Sequence, residues 1–294
     1  MDRPNISAEL AAARGLTQEQ ARDAMRALYL PLLQAQPKDG IAVTMDIAYG
    51  PHERNKLDVH VPKPKPNGVP VVMFVFGGGF VRGHKNDVGA LVHGNIPDFF
   101  ARNGYVGVNV NYRLAPGAQW PAGGEDVGAA VAWVRQNIAA HGGDPARIFI
   151  MGHSSGATHV ATYAFRRELH PAEGPGIRGA ICMSGNYFLN RNPADPNHIA
   201  YYGEDLSKWD ARSLIDNASW DPKSFAAFIS TAEHEPFSFN RSFAAMLSRL
   251  SSVAGAIPRF KLFLAHNHSS EHLAIGSGDT AIEGELLDFI RSNS

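Results

Sequence analysis

A serine lies between two glycines in the pentapeptide Gly152-His153-Ser154-Ser155-Gly156, after the apolar run 148–151 and before a helix-compatible segment. This order predicts a strand, a sharp turn and a helix. In such a turn the central serine has a strained backbone and an exposed hydroxyl, and the glycines remove side chains that would collide with the strand and the helix. Ser154 is therefore the candidate nucleophile. An ordinary β-to-α loop would also fit the pentapeptide alone, so the hypothesis depends on partners elsewhere in the chain.

A glycine triplet, Gly77-Gly78-Gly79, directly follows the apolar run 69–76, which has the composition of a buried strand. Consecutive glycines leave backbone N–H groups unobstructed, which is what the stabilisation of a developing oxyanion requires. We predict that Gly78 and Gly79 donate these N–H groups, together with Ser155, the residue after the nucleophile. A flexible glycine turn is the alternative, but the position of the triplet at the end of a strand favours the donor role.

Three histidines, His266, His268 and His272, follow the last predicted strand. A loop that leaves the carboxyl end of this strand lies on the same side of the sheet as the serine turn. We predict that His268, at the centre of the loop, is the general base, with His266 as the second choice. The three imidazoles could also hold a metal ion. No carboxylate or cysteine at matched spacing accompanies them, so no metal site is predicted.

Two carboxylates, Glu233 and Glu235, follow the predicted strand 225–231. An acid at this place would orient the histidine and stabilise its imidazolium form. Glu235 is the preferred acid and Glu233 is held in reserve. Either residue gives the chain order serine, acid, histidine that such sites follow when the serine occupies a strand-to-helix turn.

The elements that must position these residues alternate between strand and helix, which predicts an α/β fold with a mostly parallel sheet and helices on both faces. The first two strands should form an antiparallel edge, and Pro31 should end the first helix. Strands are predicted at 41–49, 57–61, 69–76, 105–112, 148–151, 177–183, 225–231 and 259–265, and helices at 17–30, 97–103, 125–140, 240–250 and from 280 onward.

The chain is expected to form a single domain over residues 1–294, because its length and 44% hydrophobic content suit one large core. Residues 1–36 are predicted to be an N-terminal helical cap segment, with a helix packed on the body of the protein as an equal alternative. The stretch 186–223 is too long for a simple connection and rich in aromatic residues, so it predicts a lid-like insertion over the site. A surface excursion with its own small core is the alternative.

Charge and cysteine content narrow the choice of partner and compartment. The net charge is −1 and neither Lys nor Arg forms a run, which gives no surface for nucleic acid or an anionic membrane. A small molecule is therefore the expected partner, and a homodimer is one alternative for the assembly. The single cysteine, Cys182, lies in an apolar run and is expected to be buried and structural. No apolar stretch of signal-peptide or membrane-spanning length occurs, which favours a cytoplasmic location.

Taken together, these motifs resemble those of α/β-hydrolase carboxylesterases of the hormone-sensitive-lipase-like group over residues 55 to 290. The segment Tyr112-Arg113-Leu114-Ala115-Pro116, with the later Asp126, is similar to a family segment that braces the loops beside the oxyanion hole. The family usually has Asp-Pro where Glu235-Pro236 stands, which supports Glu235 over Glu233. The resemblance implies an α/β-hydrolase fold with a small cap made by the N-terminal helix and the 186–223 insertion.

Two positions depart from the family pattern: Phe76 precedes the glycine triplet where His is usual, and Ser155 stands where Ala is common. Neither change removes a backbone donor. Some motifs also resemble bacterial formamidase-like and feruloyl- or acetyl-esterase-like relatives. We therefore expect a serine carboxylesterase for small to medium acyl or aryl esters, without a cofactor. An arylformamidase-like amidase with the same triad and a non-catalytic ligand-binding scaffold are the alternatives. An apolar substrate pocket is expected from Phe76, Phe80, Tyr187 and Phe188.

Overall fold

A central sheet organises the protein in a computed structural model that describes residues 6–189, 191 and 194–294. Within these residues the sheet has eight strands in the order β1-β2-β4-β3-β5-β6-β7-β8. They are β1 (Ile41–Ala48), β2 (Lys56–Pro62), β3 (Val69–Val75), β4 (Val106–Val110), β5 (Gly143–His153), β6 (Gly179–Met183), β7 (Ala226–Ala232) and β8 (Arg259–Phe263).

The pairing of the strands confirms the predicted mostly parallel sheet with an antiparallel edge. β1 pairs with β2, and β2 with β4, in antiparallel fashion, whereas all pairs from β4 through β3 to β8 are parallel. The carboxyl ends of the parallel strands therefore lie at one edge. In β4 and β6 every side chain is buried. Because successive side chains of a strand point to opposite faces, both faces of the sheet are covered there.

Helices follow the strands in the alternation that the sequence predicts. Within the described residues, no helix combines the length and the apolar character needed to cross a membrane. The helices are α1 (Ile6–Ala12), α2 (Gln18–Gln34), α3 (Asn95–Arg102), α4 (Ala122–Asn137), α5 (Ser155–Phe165), α6 (Pro196–Tyr202), α7 (Trp209–Arg212), α8 (Leu214–Asn217), α9 (Phe237–Ala254), α10 (His268–Leu273) and α11 (Thr280–Ser292).

The second helix begins as predicted but extends beyond its predicted end. The Thr17 side chain accepts from the Gln20 backbone N–H, and the Gln20 side chain accepts from the Thr17 N–H. Pro31 lies inside the helix, so the prediction that it ends the helix is wrong. Burial of Leu33 in the core favours continuation of the helix past the proline, although a proline there removes one hydrogen bond. α2 packs against α10, the helix that begins at His268.

The described residues of 186–223 form short helices, and some of their aromatic side chains join an apolar cluster with the body of the protein. Phe80 and Ala115 from the body of the protein join Tyr201, Tyr202 and Trp209 of the insertion in this cluster. The Trp120 N–H also donates to the Tyr201 carbonyl at 2.8 Å. The insertion therefore packs against the segments that follow the glycine triplet.

Candidate active site

Ser154 occupies a strained turn between β5 and α5. Its φ is 57° and its ψ is −127°, a conformation that costs a non-glycine residue of order 1–3 kcal/mol. A Cβ on Gly152 would lie 2.4 Å from the Gly156 carbonyl oxygen, and one on Gly156 would lie 2.1 Å from the Val75 carbonyl oxygen. The two glycines are therefore required by close backbone approach, as the sequence pattern predicts.

The structure brings Ser154, His268 and Glu235 together in one hydrogen-bonded row. His268 Nε2 lies 2.9 Å from Ser154 Oγ. On the other side of the ring, His268 Nδ1 lies 2.9 Å from both carboxylate oxygens of Glu235. The Glu235 carboxylate is fully buried, and the His268 side chain is 22% exposed. Because a carboxylate only accepts, Nδ1 carries the proton and Nε2 presents its lone pair to the serine hydroxyl.

The two reserve candidates lie outside this row. The Glu233 carboxylate accepts from the Ala265 N–H at 2.7 Å. His266 Nδ1 lies 3.1 Å from Ser270 Oγ, and its Nε2 is 3.9 Å from Asp279. Both side chains therefore have partners that turn them away from Ser154.

The charge environment of His268 favours its protonated form. Burial lowers the pKa of the imidazole, but the charge of Glu235 and its hydrogen bond outweigh this effect, with a further contribution from Glu271. The pKa of His268 therefore stands above its usual value. This is the direction expected of a base that must hold a proton briefly during acyl transfer.

The position of His268 is set by a helix cap that the sequence analysis missed. Asn267 Oδ1 accepts from the backbone N–H groups of Ser269 and Ser270, and Ser270 Oγ accepts from the Asn267 N–H. This reciprocal capping begins α10 at His268, in a stretch expected to be a loop. The signal was present, because Asn followed three residues later by a short polar side chain is a helix-start pattern.

The glycine triplet packs against the nucleophile, and hydrogen bonds from a neighbouring segment fix its two flanking residues. A Cβ on Gly77 would lie 2.8 Å from Ser154 Cβ. Tyr112 Oη donates to the Phe76 carbonyl at 3.1 Å, and the Ala115 N–H donates to the Phe80 carbonyl at 3.0 Å. The segment that starts at Tyr112 therefore anchors both ends of the glycine loop.

A buried carboxylate in turn fixes the segment that anchors the loop. Asp126 accepts from the backbone N–H of Arg113 at 2.8 Å and from its guanidinium at 2.9 Å. Asn55 Nδ2 donates to the same carboxylate at 3.1 Å.

Among the described residues, no hydrogen bond is donated by the amides of the predicted donors Gly78, Gly79 and Ser155. For Ser155 this follows from its place as the first residue of α5, where an amide has no acceptor within the helix.

Most of the aromatic residues expected to line the pocket are core residues instead. Phe76 is fully buried between His93 and Tyr112, with ring centroids 5.2 and 4.6 Å away. Phe80 is 3% exposed and stacks on a tyrosine of the insertion. Tyr187 is 1% exposed. In this structure a substrate could touch none of these three rings without rearrangement, because each fills space between secondary-structure elements.

Phe188 differs from those three rings. It is only partly buried, and the guanidinium carbon of Arg241 lies 3.7 Å from its ring centroid. A ring in this place can border a cleft while its other face holds a cation. Of the four aromatic residues, Phe188 alone is partly exposed.

A cavity of about 660 Å³ lies beside Glu235 and His268. Its other wall is the turn between α1 and α2, including Arg14 and Leu16. Arg14 Nε donates to His234 Nε2 at 2.8 Å, which ties this turn to the loop of the acid. Part of the 1–36 segment therefore borders the candidate site, while α2 packs on the body of the protein.

The three histidines at 266–272 point in different directions. His266 faces Asp279, His268 faces Ser154, and the His272 ring lies 4.5 Å from the His153 ring. Across the described part of the chain, no group of three or more His, Cys, Asp or Glu residues is arranged to hold a metal ion. Cys182 is a free thiol that is fully buried, as expected, and burial raises its pKa.

The sheet order and the serine turn define the class: the chain has the α/β-hydrolase fold. Esterase B from Lactobacillus rhamnosis superposes with a TM-score of 0.71 at 18% identity, covering 97% of this chain and 95% of that one. A truncated carbohydrate esterase from gut microbiota gives a TM-score of 0.73 at 17% identity, covering 88% and 98%. At these identities the likeness concerns the fold.

Sequence comparison finds similarity to esterases over part of the chain. Residues 57–174 match the family model described as BD-FAE. Esterase LipQ of Mycobacterium tuberculosis is 37% identical over 169 residues, which are 56% of this chain and 39% of that protein. The chain spans less than half the length of the curated relatives it matches first. The resemblance to α/β-hydrolase carboxylesterases that the motifs indicate is confirmed.

Proposed function

We propose that the protein is a serine carboxylesterase that hydrolyses small to medium acyl or aryl esters through an acyl-enzyme. The observation that carries the proposal is the hydrogen-bonded row from Ser154 Oγ through His268 to Glu235, with both links at 2.9 Å. Esterase names among the sequence relatives agree with it. A nucleophile, a base within reach and an acid that orients the base are the parts that acyl transfer needs.

The proposed reaction begins when Ser154 Oγ attacks the ester carbonyl and His268 Nε2 takes the hydroxyl proton. In the proposed step the amides of Gly78, Gly79 and Ser155 stabilise the oxyanion, because none of them donates a hydrogen bond elsewhere among the described residues. His268 then protonates the departing alcohol. Water, deprotonated by His268, attacks the acyl-enzyme, and the carboxylic acid leaves with Ser154 restored. Glu235 stays ionised and stabilises the imidazolium in both halves. No cofactor takes part.

The partner that we propose is a small-molecule ester. The cavity of about 660 Å³ beside Glu235 and His268 has a volume typical of small-ligand sites. Leu16 adds apolar surface to it and Arg14 adds a positive charge. Phe188 is the ring that we place beside the acyl or aryl group.

The test is hydrolysis of p-nitrophenyl esters of increasing acyl length, with N-formylkynurenine added to examine the arylformamidase alternative. We expect a burst of p-nitrophenol from the wild-type protein. Ser154→Ala and His268→Ala should each lower kcat by at least about 10³-fold, because the triad acts as a unit. Circular dichroism should show that both variants remain folded.

His266→Ala is the matched control, since it removes a nearby imidazole that has other partners. It should keep most of the turnover. Loss of activity in His266→Ala but not in His268→Ala would contradict the assignment of the base. Ligand affinity without any burst, unchanged by Ser154→Ala, would instead indicate a non-catalytic binding protein.

A further inference from the structure

A second glutamate, Glu271, lies behind the row of Ser154, His268 and Glu235. It follows His268 by three residues on α10, and its side chain is fully buried. One carboxylate oxygen, Oε1, accepts from Ser230 Oγ at 2.8 Å. The other, Oε2, has no hydrogen-bond partner among the described residues and lies 3.8 Å from His153 Nε2. That nitrogen is also buried without a partner.

The neighbours of Glu271 belong to the elements that carry the three candidate catalytic residues. Ser230 lies on β7, the strand that leads to Glu235. His153 directly precedes Ser154, and its ring centroid is 4.7 Å from that of His268. Glu271 itself shares α10 with His268. One buried side chain therefore contacts β7 and approaches the end of β5 from the helix of the base.

Glu271 Oε2 and His153 Nε2, the two buried atoms without a partner, can form a hydrogen bond with each other if the carboxyl group is protonated. Burial, with a further contribution from the charge of Glu235, raises the pKa of Glu271 to about 7. Burial lowers the pKa of His153 well below its usual value, so this imidazole is neutral. A neutral carboxyl group can donate its O–H to the lone pair of a neutral imidazole, which would satisfy both atoms after a small movement.

The ionised carboxylate would have unfavourable surroundings. Glu235 and His268 face Glu271 from the candidate site, His153 from β5 and the Tyr187 hydroxyl from the segment after β6. His272 lies on the same helix, with its ring 4.5 Å from that of His153. The hydrogen bond from Ser230, the nearby Ser184 hydroxyl and the charge of His268 when protonated lower the pKa of Glu271. No buried cation stands against the carboxyl group in this set when the imidazoles are neutral, so charging it is costly.

We propose that Glu271 is a positioning residue for the esterase reaction, which in its protonated form joins Ser230 to His153 and so fixes His268 between Ser154 and Glu235. The inference rests on the proposed function. It assigns Glu271 no contact with the substrate. Its effect is on the orientation of the base, and its ionisation would add a negative charge that favours imidazolium.

Glu271→Gln and Glu271→Ala separate this role from simple packing. Glutamine is neutral, keeps an acceptor for Ser230 and offers an N–H to His153, so it imitates the protonated carboxyl group. We expect its kcat for p-nitrophenyl acetate at pH 6, where the Glu271 carboxyl group is protonated, to stay within about threefold of wild type, since positioning is preserved. Because glutamine reproduces the neutral carboxyl group, the acid limb of kcat/KM should stay where it is in the wild-type protein. Alanine removes both contacts, and we expect at least a tenfold fall in kcat with KM within twofold.

Glu283→Gln is the matched control, because it neutralises a partly buried glutamate that caps Gly276 and does not touch the candidate site. It should leave kcat and the pH profile unchanged. Ser230→Ala removes only the hydrogen bond from Ser230 to Glu271. It replaces Glu271→Ala in the test if that variant does not fold, and we expect its kcat to fall at least about threefold. Wild-type kcat and pH profile in Glu271→Ala, or in Ser230→Ala in its place, would overturn the proposal. So would an equal loss of activity in Glu271→Gln and Glu271→Ala.

A proton NMR measurement tests the positioning role of Glu271 separately from the esterase function. The Nδ1 proton of His268, shared with Glu235, should give a downfield resonance in the wild-type protein and in Glu271→Gln. In Glu271→Ala it should broaden or shift, because the imidazole is less firmly held. A wild-type protein that hydrolyses no ester but shows these signals would contradict the esterase function and leave the positioning role supported. Identical signals in all three proteins would contradict the positioning role.

Discussion

Gly77 offers a direct test of how closely the glycine loop is fitted to the nucleophile. Its φ is not positive, whereas Gly78 and Gly79 have φ values of 158° and 61°. An alanine at 77 therefore introduces a methyl group without forcing a left-handed backbone. That methyl carbon would lie 2.8 Å from Ser154 Cβ, 3.0 Å from the His153 carbonyl oxygen and 3.4 Å from Ser154 Oγ. Gly77→Ala is thus a steric perturbation aimed at the proposed reaction centre.

The size of the effect follows from these distances. Carbon atoms in contact prefer a separation of about 3.5 Å or more, so the 2.8 Å approach to Ser154 Cβ must open by about 0.7 Å. A displacement of this order at a reacting group lowers the rate by about 10- to 100-fold. The loss should appear mainly in kcat, because Gly77 adjoins the two amides that we propose as donors to the transition state. Overpacking should also lower the free energy of unfolding by about 1–3 kcal/mol.

Steady-state hydrolysis of p-nitrophenyl acetate and urea denaturation measure the two effects. Gly284→Ala is the control, since a Cβ there meets no atom within 4 Å and the residue lies in α11. This exposed helical substitution should raise the free energy of unfolding by about 0.5–1 kcal/mol and leave turnover unchanged. If Gly77→Ala kept kcat within twofold of wild type, the loop would not be fitted to Ser154 as described.

Three further predictions concern the acid and the helix α2. Glu235→Gln should lower kcat about 10³- to 10⁴-fold and, because the charge of Glu235 raises the pKa of His268, move the acid limb of any residual activity to lower pH; an equal loss in Glu233→Gln would contradict the choice of acid. Pro31→Ala removes an exposed proline from inside α2. It should raise the free energy of unfolding by about 1–2 kcal/mol, seen as a higher urea midpoint. A lower midpoint would show that the helix accommodates the proline without cost. Thr17→Ala deletes the cap of α2 and should lower stability by about 1 kcal/mol, whereas Thr17→Ser should restore it.

The strands and the serine turn could be predicted because their signals are local. Runs such as 71–75 are apolar throughout because both faces of the sheet are covered. The residue types alone therefore indicate a buried strand. Gly152 and Gly156 are required by carbonyl oxygens within 2.4 Å of where a Cβ would lie. The joining of Ser154, His268 and Glu235 follows from topology, because each residue comes after a strand of one parallel sheet. That arrangement places all three at the same edge.

Other features depend on tertiary neighbours that the sequence does not display. Pro31 stays inside α2 where burial of Leu33 favours one further turn, and local propensity alone argues against that result. Phe76 and Tyr187 were expected at a pocket because aromatic residues often line one. Phe76 instead fills the space between His93 and Tyr112. Whether an aromatic ring faces a cleft or the core depends on which elements pack around it, and a single chain read in order does not give that.

The register of α10 explains why the three histidines at 266–272 point in different directions. Once Asn267 caps a helix at His268, residues 268, 271 and 272 fall at positions i, i+3 and i+4 and share one face. This face turns His268, Glu271 and His272 toward β5 and β7, where His153 and Ser230 meet them. His266 precedes the cap and is directed to Ser270 and Asp279 instead. Three imidazoles that are close together in the sequence are thus directed to different neighbours by the helix cap at Asn267.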